Sequence, residues 1–114
     1  MSQDQIAEIE MNITEAKKFV AEGNSLVRLL SNRDFKKIVL EGYFEKEAVR
    51  LVHLKADHNM QSPENQAAIM TQIDAIGSLT HYFRTLRHNA NMAEKAISES
   101  EETLDELRGE GAAE

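Results

Sequence analysis

The sequence predicts an all-α protein, folded as a long antiparallel helical hairpin of the coiled-coil kind. Two stripes of apolar residues, one near each end of the chain, carry this prediction, and a segment rich in turn signals separates them. One proline, five glycines and six aromatic residues among 114 residues also favour helices over the core of a β-sandwich or barrel.

The first stripe predicts a helix over about residues 3–30. Phe19, Leu26 and Leu29 widen the stripe, so this helix buries more than a narrow seam. Steps of three and four residues alternate along the stripe, which is the 3.5-residue repeat of a coiled coil. Its apolar or small members are Ile6, Ile9, Ile13, Ala16, Val20, Gly23, Val27 and Leu30.

A second helix is predicted over residues 33–57. Ser31, followed three residues later by Asp34, indicates a helix N-cap, so the first arm breaks near residues 31–34. In this helix Gly42 would face Gly77 and Ser78 of the other arm, which predicts a close crossing of two backbones there. Tyr43 and Phe44 would point about 100° apart on an α-helix, so only one of them should enter a two-helix seam.

The third helix is the longest, over residues 63–108, with a disordered tail at 109–114. Asp57 to Gln61 form a loop, and Ser62, Pro63 and Glu64 then supply a cap, a first-turn proline and an early acid. Residues 1–108 would form one domain. One core position of the third helix contains Ile69, Ile76, Phe83, Ala90, Ile97 and Leu104, and the other contains Gln72 (with Ile73 beside it), Leu79, Leu86, Ala93, Ser100 and Leu107.

Two registers fit these arms. If facing residue numbers sum to about 120, Gly23 meets Ile97, and Glu10 and Lys17 lie near Arg108 and Glu101. If they sum to about 113, Leu30 meets Phe83. A three-helix bundle, in which the second helix folds back on the first at Ser31, is the alternative fold.

Charge and composition restrict the partners. The net charge is −7, and residues 89–114 carry −6 of it, so direct binding to nucleic acid through a basic face is not expected. No apolar run is long enough for a membrane span, so no membrane association is expected and the chain should be soluble. The absence of cysteine excludes disulfides and thiolate metal sites.

No motif indicates catalysis. Walker loops, serine elbows, dinucleotide glycine patterns and Glu-x-x-His pairs are absent from the sequence, so we expect a protein that is not an enzyme and has no catalytic residues or cofactor. The histidines are His53, His58, His81 and His88, and the predicted register brings no acid beside His81 or His88, so no metal site is expected.

A partner or oligomer contact is the one kind of site that the residues suggest. Tyrosine and arginine often anchor protein interfaces, and several of them fall near the middle of the predicted hairpin. A packed core edged by arginine side chains would explain the same pattern. The candidate contact residues are Tyr43, Phe44, Arg50, Tyr82, Arg84 and Arg87.

The block from Asn32 to Phe44, its continuation Arg50-Leu51-Val52 and the segment Ile73–Gly77 resemble small acidic helical proteins of tailed bacteriophages. The resemblance implies a phage protein in the host cytoplasm or the virion, and it transfers no residue role. We therefore expect a self-associating hairpin that acts in phage assembly or as a virion-associated or other interaction protein, with another phage or host protein as partner. The alternative is an acidic inhibitor of a host protein that handles nucleic acid.

Overall fold

The structure is a computed structural model that describes residues 2–113 and the side chains of residues 3–110. It confirms the all-α prediction: the described residues form helices, and none of them is in a strand. The elements are α1 (Ser2–Ser31), α2 (Arg33–Phe35), a π-helix (Lys36–Glu47, the π segment), α3 (Ala48–Ala56), a 3₁₀ turn (His58–Met60) and α4 (Pro63–Ala113).

These helices pack as two compact units. The terminal unit contains the chain up to Leu26 and from Thr85 onward, where α1 and α4 pack antiparallel. The loop unit contains Val27–Arg84, where the π segment and α3 run antiparallel to α4. The packing in each unit is that of a helical hairpin, as the two apolar stripes predict.

The first arm breaks at Asn32, as predicted, but Ser31 is not the cap. Ser31 ends α1, and its hydroxyl donates to the carbonyl of Val27 at 2.9 Å. Asn32 adopts an extended backbone, and its side-chain oxygen accepts from the amide of Phe35 at 2.9 Å. Serine, asparagine and aspartate cap helices about equally well, so the sequence Ser31-Asn32 leaves two possible positions one residue apart.

The π segment replaces about half of the predicted second α-helix. Its partly buried residues are Val39, Leu40, Gly42, Tyr43, Phe44 and Glu47. A π-helix has more residues per turn than an α-helix and closes its backbone hydrogen bonds between residues five apart.

The structure also corrects two predictions about the centre of this segment. Tyr43 and Phe44 are both partly buried, and both pack against the core of Leu51, Ile69 and Ile76, so neither is left over. Gly42 is not at a close crossing. A Cβ at Gly42 would contact only the Lys37 carbonyl of its own helix, and one at Gly77 would contact nothing within 4 Å.

Side chains hold the turn between the arms. The carboxylate of Asp57 accepts from the backbone amide of Asn59 at 2.8 Å and so starts the 3₁₀ turn. The side chain of Gln66, on α4, donates to the carbonyls of Lys55 at 3.0 Å and Met60 at 2.9 Å. Ser62 caps α4 as predicted, because its hydroxyl accepts from the amide of Asn65 at 3.1 Å. The last carbonyls of α3 thus have partners that the helix cannot supply.

The two predicted core positions of α4 are confirmed. Ile69, Ile76, Ala90, Ala93 and Leu104 are buried, and the other predicted members are partly buried except Gln72, beside which Ile73 is partly buried instead. On α1 the stripe holds from Ile6 to Gly23 and then shifts. There Leu26 is 5% exposed, whereas Val27, which was expected in the seam, is 56% exposed.

In the loop unit Leu51 packs in one cluster with Ile69 and Ile76, numbers that sum with it to 120 and 127. In the terminal unit Gly23 lies against Ala90, numbers that sum to 113, so the predicted pairing of Gly23 with Ile97 is wrong.

One of the two predicted ion pairs between α1 and α4 forms. Arg108 donates to Glu10 at 2.7 Å, as predicted. Among the residues with described side chains, Lys17 and Glu101, the other predicted pair, form no ion pair.

Helix α4 ends later than predicted. It continues through Ala113, whereas the sequence places its end at residue 108 and a disordered tail at 109–114. Gly109 does not stop the helix, since one glycine costs only about 1 kcal/mol relative to alanine and no proline follows. Glu114 lies outside the described residues, and the assignment of residues 1–108 to one domain stays a prediction.

We expect Gly23→Ala to destabilise the protein and Gly77→Ala to stabilise it, although both replace a helical glycine. A Cβ at Gly23 would overlap the Cβ of Ala90, and overpacking of this kind costs about 1–3 kcal/mol, more than the gain of up to about 1 kcal/mol in helix propensity. Gly77 has open space, so only the gain applies. Urea unfolding at one protein concentration measures both, and Ala90→Gly should partly rescue Gly23→Ala. Equal effects at the two glycines would refute a close approach at Gly23.

Candidate interaction surface

Five of the six aromatic residues form one cluster in the loop unit. Phe83 of α4 lies at its centre, with ring centroids 6.0 Å from Phe35, 5.9 Å from Phe44 and 6.3 Å from Tyr82. Tyr43 extends the cluster through Phe44 at 5.9 Å. These separations and the tilted ring planes are typical of favourable aromatic pairs. The cluster joins α2, the π segment and α4.

Most side chains of the aromatic cluster are packed within the loop unit, and Tyr82 is the member that faces solvent. Tyr43, Phe44 and Phe83 are partly buried, whereas Tyr82 is 57% exposed. Of the predicted contact residues, the structure therefore brings Tyr43, Phe44 and Tyr82 together. It does not test whether they contact a partner, so that role stays a prediction.

Of the three predicted arginines, Arg50 forms an i,i+3 ion pair with Glu47 at the junction of the π segment and α3. The hydrogen bond from Arg50 lowers the pKa of the Glu47 carboxyl, and the same bond raises the pKa of Arg50. Arg84 and Arg87 are both exposed and lie three residues apart on α4. Their role as contact residues stays a prediction.

A groove in the terminal unit was not predicted. It has a volume of about 450 Å³ and lies between α1 and α4. Its residues show the same spacing of i, i+3, i+4 and i+7 on both helices, and the signal that could have identified it is the position of Phe19 and Met92 beside alanines of the seam. The groove residues are Asn12, Glu15, Ala16 and Phe19 on α1, and Asn89, Met92, Ala93 and Ala96 on α4.

Phe19, Leu26 and Leu29, the residues that widen the first stripe, differ in their exposure. Phe19 lines the groove and Leu29 is also exposed, so both are available to a partner. Leu26 is buried in the core of the terminal unit and cannot contribute to self-association without unfolding.

The acidic and histidine side chains lie on the surface. Glu99, Glu101, Glu102, Asp105 and Glu106 are all exposed on the last part of α4. The four histidines are exposed as well. Within the described residues, no three histidine, aspartate or glutamate side chains converge as metal ligands would. Likewise, no helix in the described part of the chain is both long and apolar enough to cross a membrane.

Comparison with known proteins adds no relative. No protein-family model matches the chain, and no curated protein and no solved structure is significantly similar to it.

We expect Phe83→Ala to lower the free energy of unfolding by about 2–4 kcal/mol, because it removes three ring contacts and leaves a cavity. The neighbouring Tyr82→Ala is the matched control. Tyr82 is mostly exposed and has one ring contact, so its loss should cost about 1 kcal/mol or less. Urea unfolding followed by circular dichroism measures both changes at equal protein concentration. A smaller loss for Phe83→Ala than for Tyr82→Ala would exclude Phe83 as the centre of the cluster.

We expect the carboxyl of Glu47 to titrate below the ordinary glutamate range, and Arg50→Gln to return its pKa towards that range. A pKa that is lower in the folded state means that the pair stabilises the fold above the unfolded pKa and that this contribution is lost as the pH falls. NMR titration of the side-chain carboxyl carbon measures the shift directly. An unchanged pKa of Glu47 in Arg50→Gln would show that the hydrogen bond does not form in solution.

Proposed function

We propose that this chain is a non-enzymatic interaction protein that acts as a self-associating helical hairpin in phage assembly or in the virion. The observation that carries the proposal is the amount of apolar surface that the hairpin leaves uncovered. Among the described side chains, eight apolar residues are buried, whereas ten large apolar residues are more than 40% exposed.

The accessible surface supports the same conclusion. It measures 8542 Å² for a chain of 12.9 kDa. A compact monomer of this mass exposes about 6,300 Å². The excess of about 2,200 Å² per chain exceeds the roughly 800 Å² that an interface of standard size buries on each partner. Association with a second chain would cover surface of this size.

The stability of a two-helix arrangement points in the same direction. Ordering each residue costs about 1–2 kcal/mol, and burial of apolar surface contributes about 25 cal/mol per Å². A seam that contains Gly23, Ala90 and Ala93 buries little area per residue. An additional layer of helices would add the missing burial.

The proposed setting comes from the resemblance to small acidic phage proteins. It places the protein in the host cytoplasm or the virion, with another copy of itself and a phage or host protein as partners. The exposed Tyr82 and Arg84 of the loop unit are candidate contacts for the second kind of partner. The acidity of the chain argues against direct binding to nucleic acid.

We expect the protein to sediment as an oligomer at micromolar concentration and to melt at a higher temperature when it is more concentrated. A hundredfold increase in concentration should raise the melting temperature of a dimer by about 5–10 °C, because association favours the folded state by mass action. Sedimentation equilibrium and circular dichroism test this. A fully folded monomer whose melting temperature is independent of concentration would contradict the proposal.

A second candidate function has its own observation. The five acids between Glu99 and Glu106 are all exposed on the last turns of α4, so they could imitate the phosphates of a duplex and occupy the basic surface of a host protein. Replacing all five by their amides should then abolish inhibition of a nucleic-acid-binding host protein from infected cells. Retained inhibition by the neutralised variant would rule this function out.

A further inference from the structure

The groove of the terminal unit has the features of an interface between two copies of the chain. Its floor consists of Ala16, Ala93 and Ala96, small side chains that allow another helix to approach closely. Phe19 and Met92 rise beside the floor, 44% and 56% exposed. One surface thus carries both a depression and the apolar side chains that could fill it.

A surface of this kind can complement itself. In a twofold dimer the same patch of each subunit forms the interface, so protruding groups and depressions must occur on one face. The groove meets this condition, because the exposed side chains of Phe19 and Met92 lie on the same face as the small Ala16, Ala93 and Ala96. Two such hairpins packed face to face would form a four-helix bundle, the arrangement in which helices with a broad apolar stripe are stable.

The charge distribution selects this face. Residues 12–19 contain one acid and two bases, and residues 89–96 contain one acid and one base. The acid that lines the groove, Glu15, pairs with Lys18 at 3.0 Å. Residues 99–106, by contrast, contain five acids and no base. Two copies of a chain with a charge of −7 can therefore meet at the groove without the repulsion that would separate their C-terminal segments.

Two smaller depressions share residues with the groove and continue along the same helices towards Ile9 and Thr103. They include Glu8 and Glu99, so the part of this face that avoids the acidic C-terminal segment is the groove itself. The chain as a whole exposes about 2,200 Å² more than a compact monomer of its mass, and an interface of standard size buries about 800 Å² on each partner.

We propose that this groove is the homodimer interface, and that a second copy packs on it in antiparallel orientation. The inference rests on the self-association proposed above and assigns it to a surface. The antiparallel orientation places the acidic C-terminal segments of the two copies at opposite ends. It also brings Met92 close to Met92 of the second copy, because this residue lies near the middle of the groove along α4.

The test is sedimentation equilibrium of the full chain and of two variants. Met92→Glu introduces a charge into the groove of both subunits and should weaken dimerisation on the order of 100-fold or more. Met11→Glu is the matched control. Met11 is 66% exposed on α1 and does not line the groove, so this variant should dimerise with the affinity of the native chain. Circular dichroism shows whether each variant is folded.

The outcomes separate this inference from the proposed function. Selective dissociation of Met92→Glu supports both. If Met92→Glu associates as tightly as the native chain, the groove is not the interface, although self-association stands. A native chain that is monomeric at every concentration overturns both, and a helix of another protein bound in the groove of such a monomer would identify a different occupant.

A second variant decides the question if Met92→Glu does not fold. The chain has no cysteine, so Met92→Cys and Met11→Cys each introduce a single thiol. Under mild oxidation Met92→Cys should form a disulfide-linked dimer much faster than Met11→Cys, because only the first pair of thiols meets in the proposed dimer. Equal or slower cross-linking of Met92→Cys overturns the inference.

Discussion

Close packing of small residues between α1 and α4 is the constraint on which the terminal unit depends. Gly23 is buried against Ala90, and a side chain at Gly23 would overlap that residue. This contact fixes how near the helix axes lie and which residues face each other. Its consequence is a thin core, since glycine and alanine bury little apolar surface. This thin core is one of the observations on which the proposed self-association rests.

The loop unit solves the same packing problem with large residues. Leu51 and Ile69 are almost fully buried, and the rings around Phe83 continue that core. Tyr43 and Phe44 of the π segment both pack against that core. Phe44 also contacts Phe83, so the aromatic cluster links the π segment to α4.

The candidate interaction surfaces follow from these two kinds of packing. Where the seam consists of small residues, Phe19 and Met92 remain uncovered beside it and line the groove. Where the seam consists of aromatic residues, most of the apolar surface is consumed inside and Tyr82 remains outside. The sequence suggested the second region from its tyrosines and arginines. It did not reveal the first, because alanines beside a seam look like part of the seam until the position of the partner helix is known.

By itself the sequence determined the helices, the break near residue 32, the cap at Ser62 and both core positions of α4, because these depend on residues within a few turns of each other. Only the tertiary structure decided that the seam passes through Leu26 instead of Val27, that Gly23 meets Ala90, and that Lys36–Glu47 winds as a π-helix. Each of these depends on a partner far away in the chain. A shift of one heptad leaves the local apolar pattern unchanged, so the choice requires the fit of one helix against the other.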